Sequence, residues 1–255
     1  MSNRSFEDQV EEANNVSVDG WDFSWLDGRA IEERPSWGYQ KSMGERMGRA
    51  TAALDIQTGG GEVLAGIPIV PSICVATESW PPNVAKATKL LNQRGIVVVA
   101  DEDQPPLPFA DESFDLVVSR HPVKAYWDEI ARVLQPGGTY YSQHVGPDSV
   151  SELFLFFLGP LPDRVDNRTT EIARKGCEAA GLKIVDLRLE ELCTEFYDVG
   201  AVIYFLRKVI WMVPDFTVEK YMPKLREMHE IIQKEGSFKA TTRRFIIEAV
   251  KPAQA

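Results

Sequence analysis

An acidic residue followed by a glycine-rich turn is the first feature of this sequence that could do chemistry. Asp55 lies in the apolar run Ala52–Gln57, and Gly59, Gly60 and Gly61 follow closely. Glycines let a backbone approach a ligand, and the first strand-to-helix turn binds ligands in most doubly wound sheets. The alternative is a tight turn that binds nothing.

The acids around this turn indicate which ligand it binds. A dinucleotide fingerprint, G-x-G-x-x-G, requires a glycine where this chain has Leu64, which argues against a pyrophosphate. The carboxylate of Asp55 would repel a pyrophosphate and attract an ammonium group. Glu78 ends the next apolar run, where a carboxylate accepts the hydroxyls of a ribose. Together the two acids predict a nucleoside with a positively charged amino-acid tail.

Two of the three histidines are candidate general bases. His121 follows the apolar run Phe114–Ser119, and His144 ends the run Gly138–His144, whereas His229 belongs to a later helical stretch. Ligands bind at the carboxyl ends of strands in open α/β sheets, and histidine titrates near neutral pH. The alternative for each is a hydrogen bond that holds a loop.

An alternation of strands and helices positions these residues. Short apolar runs alternate with amphipathic stretches from residue 52 onward, which predicts an α/β fold with a doubly wound, mostly parallel, Rossmann-like sheet of seven strands. The spacing of Val123, Tyr126, Ile130 and Leu134 predicts a helix over 123–134. The predicted strands are Ala52–Gln57, Ser72–Thr77, Gly95–Ala100, Phe114–Ser119, Gly138–His144, Lys183–Leu189 and Arg244–Val250.

The remaining residues are predicted to be additions to one domain that spans residues 1–255. Residues 1–50 form a helical cap without a strand, and residues 51–189 form the ligand-binding core. Residues 190–240 form an aromatic lid over the carboxyl ends of the strands, and residues 241–255 supply the last strand and a tail.

Charge and composition exclude several classes of partner. The 28 basic and 38 acidic residues give a net charge of −10, which disfavours binding to nucleic acid. The longest uncharged run, residues 63–77, is broken by prolines and is too short to cross a membrane. Residues 1–15 lack the apolar core of a signal peptide, and three cysteines without CxxC spacing fit a reducing compartment. We therefore expect a cytoplasmic protein with no membrane partner.

Four motifs over residues 45–145 resemble class I S-adenosylmethionine-dependent methyltransferases, in the subgroup with a small single-domain core that acts on small molecules. Asp55, Gly59 and Gly61 match the first motif, and Gln57 stands where the family has its first glycine. The other motifs are Val75–Glu78, Leu107–Ser119 and Glu129–Gly138.

The resemblance implies S-adenosyl-L-methionine as cofactor. Residues of the glycine turn would surround its methionine part, Glu78 would hold the ribose, and Asp101 or Asp103 would meet the adenine. Ser119, Arg120 and His121 would flank the sulfur. The cofactor-binding residues so implied are Asp55, Gln57, Thr58, Gly59, Gly60, Gly61, Glu78, Asp101, Asp103, Ser119 and Arg120, to which we add Trp37.

Methyl transfer needs alignment and exclusion of water, without a metal. His121 is the first candidate for a catalytic base and His144 the second, and no residue spacing indicates a metal site.

The density of aromatic residues in the lid predicts a small aromatic metabolite or natural product, as in secondary metabolism, methylated on oxygen or nitrogen. The rings expected to bind it are Phe157, Tyr197, Phe205 and Trp211, unless they only fill a second core.

Two other functions stay open. One is an RNA or protein methyltransferase, since residues 206–251 carry ten basic and six acidic residues, interleaved as on a solvated helix. The other is a catalytically silent cofactor-binding module that regulates a partner. The sequence does not distinguish a monomer from a homodimer.

Overall fold

The computed structural model describes residues 4–253, which form two compact units. The core unit comprises Pro35–Pro147, Asn167–Glu190 and the residues from Arg244 onward. The second unit comprises the residues up to Arg34, together with Asp148–Asp166 and Glu191–Arg243. The bounds predicted from sequence for cap, core, lid and tail stay a prediction.

Strands and helices alternate along the described residues. The strands are β1 (Ala30–Glu32), β2 (Ala52–Ile56), β3 (Ile73–Glu78), β4 (Val97–Ala100), β5 (Phe114–Arg120), β6 (Leu134–Val145), β7 (Lys183–Phe196) and β8 (Phe238–Val250). The helices are α1 (Phe6–Asn15), α2 (Tyr39–Met47), α3 (Glu62–Ala65), α4 (Pro81–Leu91), α5 (Trp127–Val133), α6 (Ser151–Leu158), α7 (Thr170–Ala179), α8 (Val199–Lys208) and α9 (Val218–Glu235), with 3-10 turns at Ser24–Leu26 and Asn92–Arg94.

The sheet confirms the predicted α/β fold and adds one strand. Its eight strands lie in the order β1-β7-β8-β6-β5-β2-β3-β4. The pairs from β6 through β5, β2 and β3 to β4 are parallel, whereas β8 is antiparallel to β6, and β1 to β7. The expectation of seven strands, with none before residue 50, was wrong. The three residues of β1 are too few to show a periodicity, and their pairing with Thr194–Phe196 is invisible in the local sequence.

Helix α5 begins later than the sequence predicts. Val123, which was placed on the buried face of a helix over 123–134, is 90% exposed and lies in a loop. The backbone of this loop is hydrogen-bonded to the side chain of Gln57: Val123 N–H donates to Oε1, and Nε2 donates to the carbonyl of Lys124. These bonds hold the segment out of the helix.

Strand β2 lies at the centre of the core unit because apolar layers cover both of its faces. All five of its residues are buried. Ala53 packs with α2 and α4, through Met43, Ala87 and Leu91, on one face. On the other face, Leu54 belongs to a cluster that includes residues of α5 and α7. The continuous apolar run is thus typical of a strand covered on both sides.

The second unit has a core of its own, formed mainly by helices. Apolar residues of α1, α6, α8 and α9 form one cluster in it. Helix α8 is buried over most of its length, and Asp198 caps it by accepting a hydrogen bond from Ala201 N–H. Over residues 4–253, no helix is both long and apolar enough to cross a membrane.

His144 makes the stability of the core unit sensitive to acid. It lies on β6, 9% exposed, with its ring 4.6 Å from that of Phe245 and 6.4 Å from that of Trp127. Burial lowers its pKa from 6.5 to about 3. The unfolded chain therefore binds this proton at a higher pH than the folded chain, and the free energy of unfolding falls as the pH drops below 6.5.

We expect His144→Phe to remove this dependence. Between pH 6.5 and 5, the wild type should lose about 2 kcal/mol more of its unfolding free energy than the variant. Urea unfolding at both pH values measures the difference. Trp127→Phe is the matched control, because it alters the same ring stack and leaves the histidine in place. Equal pH dependence of wild type and His144→Phe would contradict the assignment.

Candidate active site

The carboxyl ends of the parallel strands bring several of the predicted cofactor-binding residues to one edge of the core unit. Ile56 of β2 is paired in register with Ser119 of β5, and Asp55 with Ala76 of β3. Glu78 ends β3 beside Ala100. The glycine turn after β2 therefore lies next to Glu78 and next to the end of β5.

Asp55 is a buried acid. It is 5% exposed, and its Oδ2 accepts a hydrogen bond from Thr58 Oγ1 at 2.7 Å. Burial raises its pKa to about 7; the bond from Thr58 acts in the opposite direction, and the charge of Glu78 raises the pKa further. Among the residues that the structure describes, no lysine or arginine forms an ion pair with Asp55. A cationic group of a ligand would supply the missing charge.

Glu78 is held by backbone donors. Its Oε2 accepts from Gly59 N–H at 2.8 Å, and its Oε1 accepts from the N–H groups of Ser79 and Trp80 at 3.1 and 3.0 Å. These bonds fix the plane of a carboxylate that is 7% exposed. Carboxylate oxygens can accept further hydrogen bonds, so the arrangement fits a pair of ribose hydroxyls.

The glycines of the turn serve different purposes. Gly61 has φ +82°, and a Cβ there would lie 3.0 Å from the side chain of Leu91, so this glycine lets the turn pack on α4. At Gly60 a Cβ would meet the carboxylate of Glu62. Gly59 has φ +66° and nothing within 4 Å of an added Cβ. The space in front of Gly59 is thus where a ligand can approach the backbone.

Gln57 replaces a glycine with a hydrogen-bonding side chain. Its φ of +58° lies in the left-handed region that a glycine adopts readily. Its Nε2 donates to Asp103 Oδ1 at 2.7 Å and to Lys124 O at 3.0 Å, and its Oε1 accepts from Val123 N–H at 2.5 Å. These bonds offset the backbone strain and link the turn to the segments after β4 and β5.

Of the two candidate adenine-binding acids, Asp103 is the one that contacts the glycine turn. Burial raises its pKa, which the bond from Gln57 opposes. Asp101 supports it, since its Oδ2 accepts from Asp103 N–H at 3.2 Å. Which of the two meets adenine stays a prediction.

Helix α2 and the turn before it also reach this edge of the core unit. Trp37 Nε1 donates to Gln143 Oε1 at 2.7 Å, and the Tyr39 hydroxyl donates to the carbonyl of Ser119 at 2.9 Å. Burial raises the pKa of Tyr39 well above 10. The sequence indicated Trp37 but missed Tyr39 and Gln143, which come to this edge of the core unit only through contacts between distant segments.

The end of β5 carries Ser119, Arg120 and His121. Ser119 Oγ donates to Ile56 O at 2.8 Å, which ties β5 to β2. Arg120 is exposed. His121 has φ +57°, its N–H donates to Gln143 O at 2.6 Å, and its Nε2 lies 2.8 Å from Gln143 Nε2. Burial, assisted by the positive charges of Arg120 and Arg244, lowers the pKa of His121 well below 6.5, so this histidine is neutral at pH 7.

His144 differs from His121 in its surroundings. Its ring stacks between Phe245 and Trp127, and its Nε2 lies 3.5 Å from the Tyr140 hydroxyl. A catalytic role for either histidine stays a prediction. Within the described part of the chain, no group of three His, Cys, Asp or Glu side chains is arranged to hold a metal ion.

The four predicted acceptor-binding rings all belong to the second unit. Phe157 is buried in the apolar cluster of that unit, and Phe205 packs against it. Tyr197 and Trp211 are 41% and 57% exposed. The first pair thus contributes to the core of that unit, and only the second pair is exposed to solvent; their binding of an acceptor stays a prediction.

Comparisons with known proteins indicate the same kind of domain as the residues of the turn do. Residues 54–142 match the family model described as a methyltransferase domain. An uncharacterised protein of Mycobacterium tuberculosis is 29% identical over 100 residues, and the match spans 36% of this chain and about a third, 36%, of that relative.

Two solved structures have a similar fold. A structure described as a putative methyltransferase from Bacillus halodurans has a TM-score of 0.58 at 19% identity, over 84% of this chain and 99% of its own. A Haemonchus contortus phosphoethanolamine N-methyltransferase, solved with S-adenosylhomocysteine, has a TM-score of 0.50 at 17% identity, over 98% of this chain and 60% of its own. Residues 54–142 thus match a methyltransferase domain in sequence, and the structure has the Rossmann-like fold of methyltransferases.

Proposed function

We propose that the whole protein transfers a methyl group from S-adenosylmethionine to an oxygen or nitrogen of a small acceptor molecule. The observation that carries the proposal is the buried carboxylate of Asp55, which lacks a basic partner among residues 4–253 and lies beside Glu78 at an open glycine turn. A ligand that carries both an ammonium group and a ribose satisfies both acids. The cofactor supplies an activated methyl group.

In this proposal, residues of the core unit bind and orient the cofactor. Asp55 neutralises the ammonium group, Glu78 accepts the ribose hydroxyls, and Asp103, held by Gln57, lies on the adenine side. Because Asp55 is buried, water is excluded from the place where its carboxylate pairs with the ammonium group. The chain needs to align the acceptor with the methyl group and exclude water, because the leaving group departs without protonation.

The proposed acceptor is a small aromatic metabolite. The net charge of −10 disfavours RNA, and the aromatic side chains of the second unit, among them exposed Tyr197 and Trp211, suit a planar molecule. A silent cofactor-binding module is the second candidate, and the substitution of Gln57 for a glycine favours it.

Calorimetric titration with S-adenosylmethionine and S-adenosylhomocysteine tests the proposal, followed by assay of S-adenosylhomocysteine release with a panel of small aromatic acids, phenols and amines. Saturable binding with turnover on this panel is the expected result. Binding without turnover on any acceptor favours the silent module. Absence of binding contradicts both candidates.

Glu78→Gln should weaken cofactor binding. The variant keeps the size of the side chain but loses the charge-assisted hydrogen bonds to the ribose, so we expect a cost of about 1.5–3 kcal/mol, roughly 10- to 150-fold in Kd. Glu62→Gln is the control, because Glu62 lies in the first turn of α3 and pairs with exposed Lys86. An unchanged Kd in Glu78→Gln would show that the ribose is held elsewhere.

Asp55→Asn should stabilise the free protein and weaken cofactor binding. The folded pKa of about 7 lies above the ordinary 3.8, so the folded chain holds this proton more tightly, and that contribution to stability is lost as the pH rises through 7. Because the unfolded carboxyl ionises above pH 3.8 and the folded one only near 7, the gain of the variant in unfolding free energy over the wild type should be roughly 2–3 kcal/mol larger at pH 8 than at pH 5.

Urea unfolding at both pH values, with calorimetry of cofactor binding at pH 8, checks this prediction. At pH 8, the unfolding free energy of the variant should rise and its affinity for the cofactor should fall. A variant that loses stability at pH 8 would show that the ionised carboxylate is satisfied in the free protein.

A further inference from the structure

Three side chains of the core unit form a hydrogen-bonded chain, from Trp37 through Gln143 to His121. The Trp37 indole nitrogen can only donate, and it lies 2.7 Å from Gln143 Oε1. The amide nitrogen of Gln143 therefore faces His121, 2.8 Å from Nε2. Because an amide nitrogen also only donates, His121 Nε2 must accept this hydrogen bond and carry no proton.

The proton of neutral His121 is consequently on Nδ1. Burial lowers the pKa of His121 well below 6.5, with the preceding residue Arg120, Arg244 on β8 and His144 on β6 acting in the same direction. Over residues 4–253, Nδ1 has no hydrogen-bond partner. Nδ1 of His121 is thus able to donate a hydrogen bond, whereas the unprotonated Nε2 already accepts one from Gln143.

The backbone fixes this arrangement. Arg120 is paired in register with Gln143, and the next residue, His121, donates its N–H to the Gln143 carbonyl at 2.6 Å. The φ of +57° at His121 is a conformation that a non-glycine residue adopts at a cost of about 1–3 kcal/mol. Gln143 thus binds both the main chain and the side chain of His121, so the ring cannot turn without breaking these bonds.

We infer that Gln143 and Trp37 are positioning residues that hold His121 as a hydrogen-bond donor toward the methyl acceptor, and that the acceptor is a carboxylate. This inference rests on the proposed function. A carboxylate needs no base: a lone pair on its oxygen forms the bond to the methyl carbon as the bond from methyl to sulfur breaks, and that electron pair stays on sulfur. The negative charge of the acceptor and the positive charge of the sulfonium disappear together, and no proton is released.

The other histidine of the core unit does not replace His121 as a base. His144 is stacked between two rings and has a pKa of about 3 because it is buried. An alcohol or a protonated amine must lose a proton for methylation, whereas a carboxylate is ionised at neutral pH. With Nε2 of His121 occupied and His144 buried, neither histidine of the core unit supplies the base that an alcohol or an ammonium group would need, and a carboxylate is the acceptor that requires none.

Long-range proton–nitrogen NMR of the histidine rings tests the tautomer at pH 7. We expect a protonated Nδ1 and an unprotonated Nε2 at His121 in the wild type. Gln143→Glu replaces the donor with a carboxylate that can only accept, so the proton should move to Nε2. The same substitution at Gln135, near the start of β6, is the control and should leave the ring unchanged. Nε2–H in the wild type, or no change in Gln143→Glu, would overturn the inference.

Two probes with the same aromatic ring test the acceptor class. In protein saturated with S-adenosylhomocysteine, benzoate should shift the Nδ1 resonance of His121 saturably, and benzyl alcohol should not. An unmoved resonance with benzoate, or an equal shift with benzyl alcohol, contradicts the carboxylate. Failure of the proposed function would appear separately as absent cofactor binding in calorimetry, since the tautomer measurement needs no cofactor.

Discussion

The burial of one negative charge is the constraint on which the site depends. Asp55 occupies a strand whose every residue is buried, on the face that packs against α2 and α4. An ionised carboxylate in such a place is costly unless it is paired and hydrogen-bonded, and among residues 4–253 its one side-chain hydrogen bond comes from the hydroxyl of Thr58. The apolar layers on both sides of β2 hold the acid in position despite this cost. The stability of the core unit thus offsets the cost of keeping this carboxyl group buried.

Gln57 shows how a chain can depart from a motif and keep the geometry of the turn. A glycine reaches the left-handed region without strain, but it makes no side-chain bonds. The glutamine reaches the same region and compensates through three hydrogen bonds. The turn is therefore coupled to Asp103 and to the loop after β5, whereas a glycine would leave these three segments independent.

Much of the core unit was predictable from sequence because each central strand is a continuous apolar run, and covered parallel strands have this pattern. The positions of the two acids on their strands were predictable too, since Asp55 lies near the end of one such run and Glu78 ends the next, whereas their binding of a ligand stays a prediction. β1, the late start of α5, and the parts played by Tyr39 and Gln143 were not, because each depends on a partner far away in the chain. Trp37 and Gln143 are separated by 106 positions, and no periodicity encodes such a pair.

The position of β8 has a consequence for the order in which the molecule forms. β8 lies between β7 and β6, and Thr139 on β6 is paired with Val250. The hydrogen-bonding groups on that side of β6 remain unsatisfied until a segment about a hundred residues later arrives. Closing so long a loop is slow, and an open strand edge invites pairing with other chains. Gln143 lies on this same strand, paired with Ile246, so the residue that orients His121 acquires both of its strand neighbours only when the sheet is complete.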